Sequence, residues 1–518
     1  MSDGDTPIDR LPSGATSVGV ALAAGVAGVL GSYGAAGFRP AFVVAPVSGF
    51  ISKRMPGAVV TFAITVLGDL GQQLTLVTAG ALVVALFAGV TWLWLRVGSA
   101  PHIRWTPVLG AAASVWFASA LLTWRFVPAL GAAAGVAVVV AAAEFADPLA
   151  RPMAEAPGVP ESDGRRRLLG ALAAALASVL VGYTAGDRAE TLTKDATSAP
   201  SGAVYADVDT PEMNVEDMLA TAEARSLDFD DLEPLVSEEF YEVDIKAVNP
   251  AVDAGQWSLS VTGEVEEERT FSYGDLVDRE TESRFNTLRC VGEALNGRKM
   301  DNAVWTGVPV GPILEAAGPT SNCNCVMLRA ADGYFEEFPL DALRPGLLAF
   351  GMNVNPLPRS HGAPLRALVP GHWGEVNVKW LTEIELLERE QQGYWEKRGW
   401  HGTGPVNTVA KLHAKARAGG NRLRVGGHAY AGTRGIRTVE VSVDGGDTWT
   451  QATLSEPLPG DDVWRQWAHT YESPGTAHEV VVRARDGTGT LQPRKRQSPY
   501  PSGATGWVRE TIHPSRVQ

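Results

Sequence analysis

Three cysteines, Cys290, Cys323 and Cys325, are the whole thiol complement of this 518-residue chain. Three is too few for a disulfide framework or an iron–sulfur cluster, and no Cys-x-x-Cys-His run is present to attach a c-type haem. The odd count leaves at least one thiol unpaired. Cys290 stands in Leu288-Arg-Cys-Val-Gly292, just past a predicted strand and ahead of a glycine. A side chain placed there can be aimed rigidly at a bound ion. A soft thiolate suits a soft metal, which deprotonates it on binding. The plain alternative is a buried structural cysteine, the common fate of a free thiol. Cys323-Asn-Cys325 could close only a strained ring, and no further Cys or His completes a metal set there. That pair reads as surface or half-buried thiols in a loop. Of nine histidines, only His102 is near the apolar segments, which therefore lack the paired histidines that hold a membrane haem b.

The elements that must position Cys290 begin near Glu239. Trp257-Ser-Leu-Ser-Val-Thr-Gly263 alternates like a half-buried strand, Tyr273–Val277 reads as a short helix and Arg284–Cys290 as a second strand. Val308–Ala317 is a helical run closed by Gly318, and Val326–Ala330 a strand turning at Asp332-Gly333. Helices and strands mix without a βαβ rhythm, which favours α+β. Gly362 and Gly371 would let the backbone approach a ligand closely.

Several motifs in order carry a resemblance. Leu288-Arg-Cys290-Val-Gly292 is followed by Trp305-Thr-Gly-Val-Pro309, Asp332-Gly-Tyr334 and Leu347-Leu-Ala-Phe-Gly-Met352. Then come Pro358-Arg-Ser-His-Gly-Ala-Pro-Leu-Arg366, Val369-Pro-Gly371, Val378-Lys-Trp-Leu381 and Gly393-Tyr-Trp-Glu-Lys-Arg-Gly-Trp400. Together, over residues 238–402, they resemble the sulfite oxidase family of molybdenum–pterin enzymes. The resemblance implies a molybdenum–molybdopterin cofactor with Cys290 as its protein thiolate. It also implies His361, Arg366 and Lys379 as phosphate or pterin contacts, and oxygen-atom transfer on a small sulfur compound such as sulfite. A sulfoxide reductase of the same cofactor class is the alternative, and a tethered binding protein that has lost the metal is a third reading. Two positions depart from the animal and plant sulfite oxidases. Trp400 occupies the place of a tyrosine, and Phe240-Tyr-Glu242 offers acid where an arginine is expected. No cytochrome b5-like domain is attached, so a separate electron-transfer partner is expected.

Upstream, the chain changes character. The clear apolar runs are Val18–Ala36, Leu74–Leu95, Pro107–Thr123, Phe126–Phe145 and Leu168–Ala185, each near the ~20 residues needed to cross a bilayer. Pro56–Leu67 is shorter and reads as a sixth span or a re-entrant piece. With five spans and the N-terminus inside, Arg10, Arg96, Arg104, Arg151 and Arg165–Arg167 fall on the inner side, and Arg39, Lys53, Arg54 and Arg125 on the outer side. That bias puts everything after residue 186 outside the cytoplasm. Arg165-Arg-Arg-Leu-Leu169 reads equally as a positive-inside anchor or a twin-arginine export signal. A transporter is disfavoured, since Asp69 and Glu144 are the only ionisable residues in question.

Residues 187–236 lack apolar periodicity, as in Asp207–Pro211 and Asp228–Pro234, and read as a solvated tether. Past residue 405, strand-like runs at Arg422–Gly426, Thr438–Val443, Glu479–Arg485 and Trp507–Ile512 suggest a small β-sandwich. Gly427–Gly432 and Val439–Gly446 resemble the immunoglobulin-like dimerisation domain that follows the molybdenum domain in the family. That implies a homodimer and brings Arg434 near the anion pocket. The expected architecture is multi-domain. A transmembrane helical bundle (1–186), a linker (187–236), an α+β molybdopterin-binding domain (237–404) and an immunoglobulin-like sandwich (405–518) follow in order. A net charge of −14 argues against nucleic acid as a partner.

Overall fold

The computed structural model describes residues 14–97, 105–145, 163–197, 214–320 and 324–517. Arg10, His102, Arg104, Arg151, Asp207–Pro211 and Cys323 lie outside the described residues. The chain divides into two compact units. The first is Met1–Met55, Gly68–Ala196 and Asp244–Ala251, and the second is Pro56–Leu67, Thr197–Val243 and Val252–Gln518.

Among the described residues, five helices of the first unit are long and apolar enough to cross a membrane: Gly14–Ala36, Leu70–Val97, Thr106–Thr123, Phe126–Glu144 and Arg167–Arg188. They coincide with the five expected runs. Small residues let two of them touch backbone to backbone. A Cβ on Gly31 would lie 2.1 Å from the Gly131 carbonyl oxygen, and one on Gly135 would lie 2.1 Å from that of Ala27. The spacing of four on both helices is the small-xxx-small pattern by which apolar helices gain close packing without a hydrophobic drive. Ala24, Ala27, Val136 and Val139 fill the seam, fully buried. The 11-residue helix Val44–Arg54 was not anticipated. Pro56–Leu67 is not a sixth span, because it forms only a six-residue helix, Gly57–Phe62, continued by a π-turn, Ala63–Leu67, and it groups with the second unit.

In the second unit, one mixed sheet runs in the order Arg269–Ser272, Ser258–Gly263, Leu381–Leu387, Cys325–Ala330, Phe335–Pro339. Its single parallel pair joins Ser258–Gly263 to Leu381–Leu387. A second, antiparallel sheet carries Glu282–Arg289, Met300–Pro309 and Leu347–Met352, with Arg366–Leu368 on the last. The α+β expectation describes this region. Met300–Pro309 was not read as a strand, and the helix after it is shorter than expected, Val310–Glu315. Cys325 begins a strand and is buried, not a surface thiol.

Toward the C-terminus, two antiparallel sheets share one core, with Val425 and Trp467 packed in the same cluster as Val439, Val480 and Val482. The stretch read as a tether is partly built into this core. Asn214 accepts from the Asp217 N–H at 2.8 Å and caps the helix Val215–Arg225, whose Met218 and Ala222 are buried. Phe229, Leu232 and Leu235 follow into the interior. Their backbone is satisfied by side chains, since Trp464 Nε1 donates to the Leu235 carbonyl and Gln466 Nε2 to that of Glu233.

Candidate active site around Cys290

Cys290 is the first residue past the strand Glu282–Arg289, and its thiol is free and half-buried. The loop it opens is closed tightly. The Cys290 N–H donates to the Lys299 carbonyl at 2.9 Å, and the Glu293 N–H donates to the Cys290 carbonyl at 3.2 Å. A buried charge network holds both sides. Arg289 Nε bonds Glu293 at 3.2 Å, Lys411 bonds the other oxygen of the same carboxylate, and the Lys299 N–H donates to it as well. Arg289 also stacks over Trp373 at 4.8 Å and donates to the carbonyls of Asn407 and Ala504. Charges this deep persist only when paired and hydrogen-bonded, so the sulfur is aimed by a rigid frame. Burial pushes the Cys290 thiol up to about 11. It therefore stays protonated near neutrality until a metal displaces the proton.

His361, Arg366 and Lys379 come together. A Cβ on Gly362, where φ is +115°, would stand 3.0 Å from Lys379 Cα and 3.1 Å from Arg366 Cβ, which is why glycine is required. Arg366 donates to the His361 carbonyl at 3.2 Å and lies over the Trp305 ring at 4.9 Å. Lys379 donates to the Ser360 carbonyl at 2.7 Å. Burial, then the charges of Arg366 and Lys379, push His361 down to about 3. A neutral imidazole beside two cations is a ready receptor for a phosphate.

Tyr241, which sequence reasoning passed over, bridges the two clusters. Its backbone N–H donates to Asp301 at 2.8 Å. Burial, then the neighbouring Cys290 and Asp301, hold its phenol well above the ordinary value, while Arg366 opposes them. The hydroxyl is thus a proton donor within electrostatic reach of both Cys290 and Arg366. Phe240 beside it meets the Trp305 and His361 rings at 5.4 and 5.5 Å. The signal lay in the Phe-Tyr pair itself, which had been read only for the acid that follows. That acid, Glu242, stands 3.9 Å from His361 Nε2.

The structure does not draw Arg434 to this pocket. Its guanidinium pairs with Asp486 at 3.1 Å and donates to the Val406 carbonyl at 2.7 Å. Trp400 does belong here. Its ring edge lies 3.7 Å from the Cβ position of Gly292, and its buried Nε1 has no hydrogen-bond partner among the described residues. A free thiol on a rigidly held loop, and a cationic cradle a phosphate would neutralise, fit a molybdenum–pterin held by Cys290, His361, Arg366 and Lys379.

Comparison with known proteins agrees with this geometry. Residues 246–395 match the oxidoreductase molybdopterin binding domain and residues 406–502 the Mo-co oxidoreductase dimerisation domain. The chain is 32% identical over 151 residues to the uncharacterized oxidoreductase YuiH of Bacillus subtilis, covering 29% of this chain and 74% of that protein. It is 26% identical over 314 residues to the sulfite oxidase of Arabidopsis thaliana, covering 48% of this chain and 80% of that one. Against mouse mitochondrial sulfite oxidase the figures are 32% over 173 residues, 28% of this chain and 32% of the relative. The chain thus belongs to the sulfite-oxidase-like family of molybdopterin-dependent oxidoreductases, enzymes that work through a molybdenum–molybdopterin cofactor.

Proposed function

We propose that this oxidoreductase moves an oxygen atom to or from a small sulfur compound at Cys290. The observation that carries the reading is the free Cys290 sulfur, aimed by the Arg289–Glu293–Lys411 network and flanked by the His361–Arg366–Lys379 cradle. The cofactor, when bound, supplies two-electron redox chemistry at sulfur. The protein's own part is positional. Cys290 gives up its proton to become a ligand, and the cationic cradle takes the phosphate of the cofactor. The Tyr241 phenol, held protonated by burial and by the neighbouring Cys290 and Asp301, is a hydrogen-bond donor within electrostatic reach of the sulfur.

Oxidising sulfite takes one oxygen from water and releases two protons and two electrons, which pass to a separate carrier. Reducing a sulfoxide consumes the same set and yields water.

The sequence boundaries (1–186, 187–236, 237–404, 405–518) and the arginine bias support a membrane-tethered enzyme with its catalytic domain outside the cytoplasm. An immunoglobulin-like sandwich would pair two copies. The test is molybdenum content in purified protein. Cys290→Ser should lose most of the metal that the wild type carries. Rates with sulfite plus an electron acceptor, against sulfoxides plus a reduced dye, then fix the direction. Full molybdenum in Cys290→Ser would refute the assignment.

A further inference from the structure

The segment Pro56–Leu67 lies in sequence between two helices of the first unit, yet it packs into the second. Two close approaches hold it there. A Cβ on Gly57 would stand 3.1 Å from the Arg398 carbonyl oxygen, and one on Gly292 would stand only 2.6 Å from Ile64 Cγ2. The same point above Gly292 is 3.7 Å from Trp400 Cη2 and 3.8 Å from Cys290 Sγ. Ile64 therefore occupies the space that any side chain at 292 would take, next to the sulfur and the indole. Gly292 does more than aim the cysteine; its missing Cβ admits the isoleucine.

The local backbone explains why Ile64 is the residue that arrives. The helix Gly57–Phe62 gives way to a π-turn at Ala63–Leu67, and a π-turn re-registers the side chains that follow it. Ile64 is half-buried, whereas Val59, Phe62 and Val66 are exposed. From Gly57 to Leu67 the segment carries no charged residue, and the Ile64 side chain offers a visitor to Cys290 methyl groups alone.

We propose that Ile64 is a specificity-determining residue of the oxygen-atom-transfer site, forming with Trp400 an apolar collar beside the Cys290 sulfur. The proposal rests on the reading of Cys290 as the metal ligand and adds to it a substrate class. A hydrated oxyanion passing the collar loses water contacts that methyl groups do not replace. A compact, uncharged sulfur group loses little, and a bulky one is stopped by width.

The test uses the full chain in detergent, first without cofactor. Alkylation of Cys290 by iodoacetamide and by the much larger pyrenyl maleimide is followed by peptide mass spectrometry, which separates Cys290 from Cys323 and Cys325. Ile64→Ala should raise the rate with the large reagent on the order of tenfold and barely change the small one. Ile64→Trp should slow both, and Val66→Ala should change neither. In the cofactor-loaded enzyme, Ile64→Ala should raise kcat/KM for methyl p-tolyl sulfoxide relative to dimethyl sulfoxide. Should Ile64→Ala fail to fold, Ile64→Val carries the same prediction at smaller size. Equal size discrimination in wild type and both Ile64 variants would overturn the collar. Molybdenum retained by Cys290→Ser would instead sink the metal reading, a result on which the alkylation rates do not depend.

Discussion

Glu293 is the residue on which the geometry of Cys290 turns, and its two oxygens are shared between Arg289 and Lys411. All three are buried, and burial pushes Lys411 down to about 8 even though Glu293 opposes it. Removing the shared carboxylate leaves two cations deep inside without compensation. Glu293→Gln should therefore cost about 3–5 kcal/mol, read as a lower denaturation midpoint, and should reduce the molybdenum bound. Glu293→Gln combined with Lys411→Met should recover part of the stability, because one of the two stranded cations leaves as well. Equal loss in the single and double variants would show that the network does not act as a pair. At this scale much was legible from the sequence. Cys290, His361, Arg366 and Lys379 sit in motifs whose glycines and order carry their meaning. Ile64 was not legible, because it reaches the site from a segment with no motif, by a tertiary approach that leaves no trace in local spacing. Arg434 shows the converse. A plausible position in a motif did not foretell that Asp486 would claim the side chain.

Among the elements, the strand Met300–Pro309 was the one most hidden. Asp301 and Asn302 break its apolar run, and in isolation they read as a loop. They are buried because partners await them. Asp301 accepts from Tyr241 and Ser237, and Asn302 bonds Thr287 and the Leu235 carbonyl. The segment Gly393–Trp400 holds a second buried polar group. Glu396 shares a hydrogen bond with Glu336, while Tyr334 donates to Glu336 at 3.0 Å and to the Glu375 carbonyl at 2.8 Å. Burial, then Glu396, push Glu375 up from 4.5 to about 8, and burial with Glu396 holds Glu336 well above the usual carboxylate range. Folded values above unfolded ones mean that the stabilising contribution is complete below about pH 4.5 and is lost as pH rises through about 8. The melting temperature of the wild type should fall from pH 6 to pH 9. Glu375→Gln should flatten that slope and raise the midpoint at pH 9 by about 3–6 °C, equivalent to about 1–2 kcal/mol. Parallel curves for the two proteins would show that Glu375 does not carry the effect.

For the whole molecule, the side on which Cys290 stands depends on how many helices would cross a bilayer. Among the described residues, five helices have the length and hydropathy to do so. Pro56–Leu67 does not, because as a helix it would span about 18 Å against about 30 Å of hydrocarbon. Alternation puts the loop before Leu70 and the loop after Thr123 on one face, and the N-terminal segment, the loop after Val97 and the loop after Glu144 on the other. The basic residues favour the second face as inner: Arg10, Arg96, Arg104, Arg151 and Arg165–Arg167 belong to it, against Arg39, Lys53, Arg54 and Arg125 on the first. A membrane-impermeant maleimide added to whole cells should then label Trp124→Cys and leave Ser99→Cys untouched until the cells are opened, each site read by its own peptide. The proposed orientation would send the chain beyond Arg188 outward, where the loaded cofactor would meet substrates and carriers from outside the cytoplasm. Labelling of Ser99→Cys in intact cells, with protection of Trp124→Cys, would turn the protein over and place the chemistry of Cys290 inside.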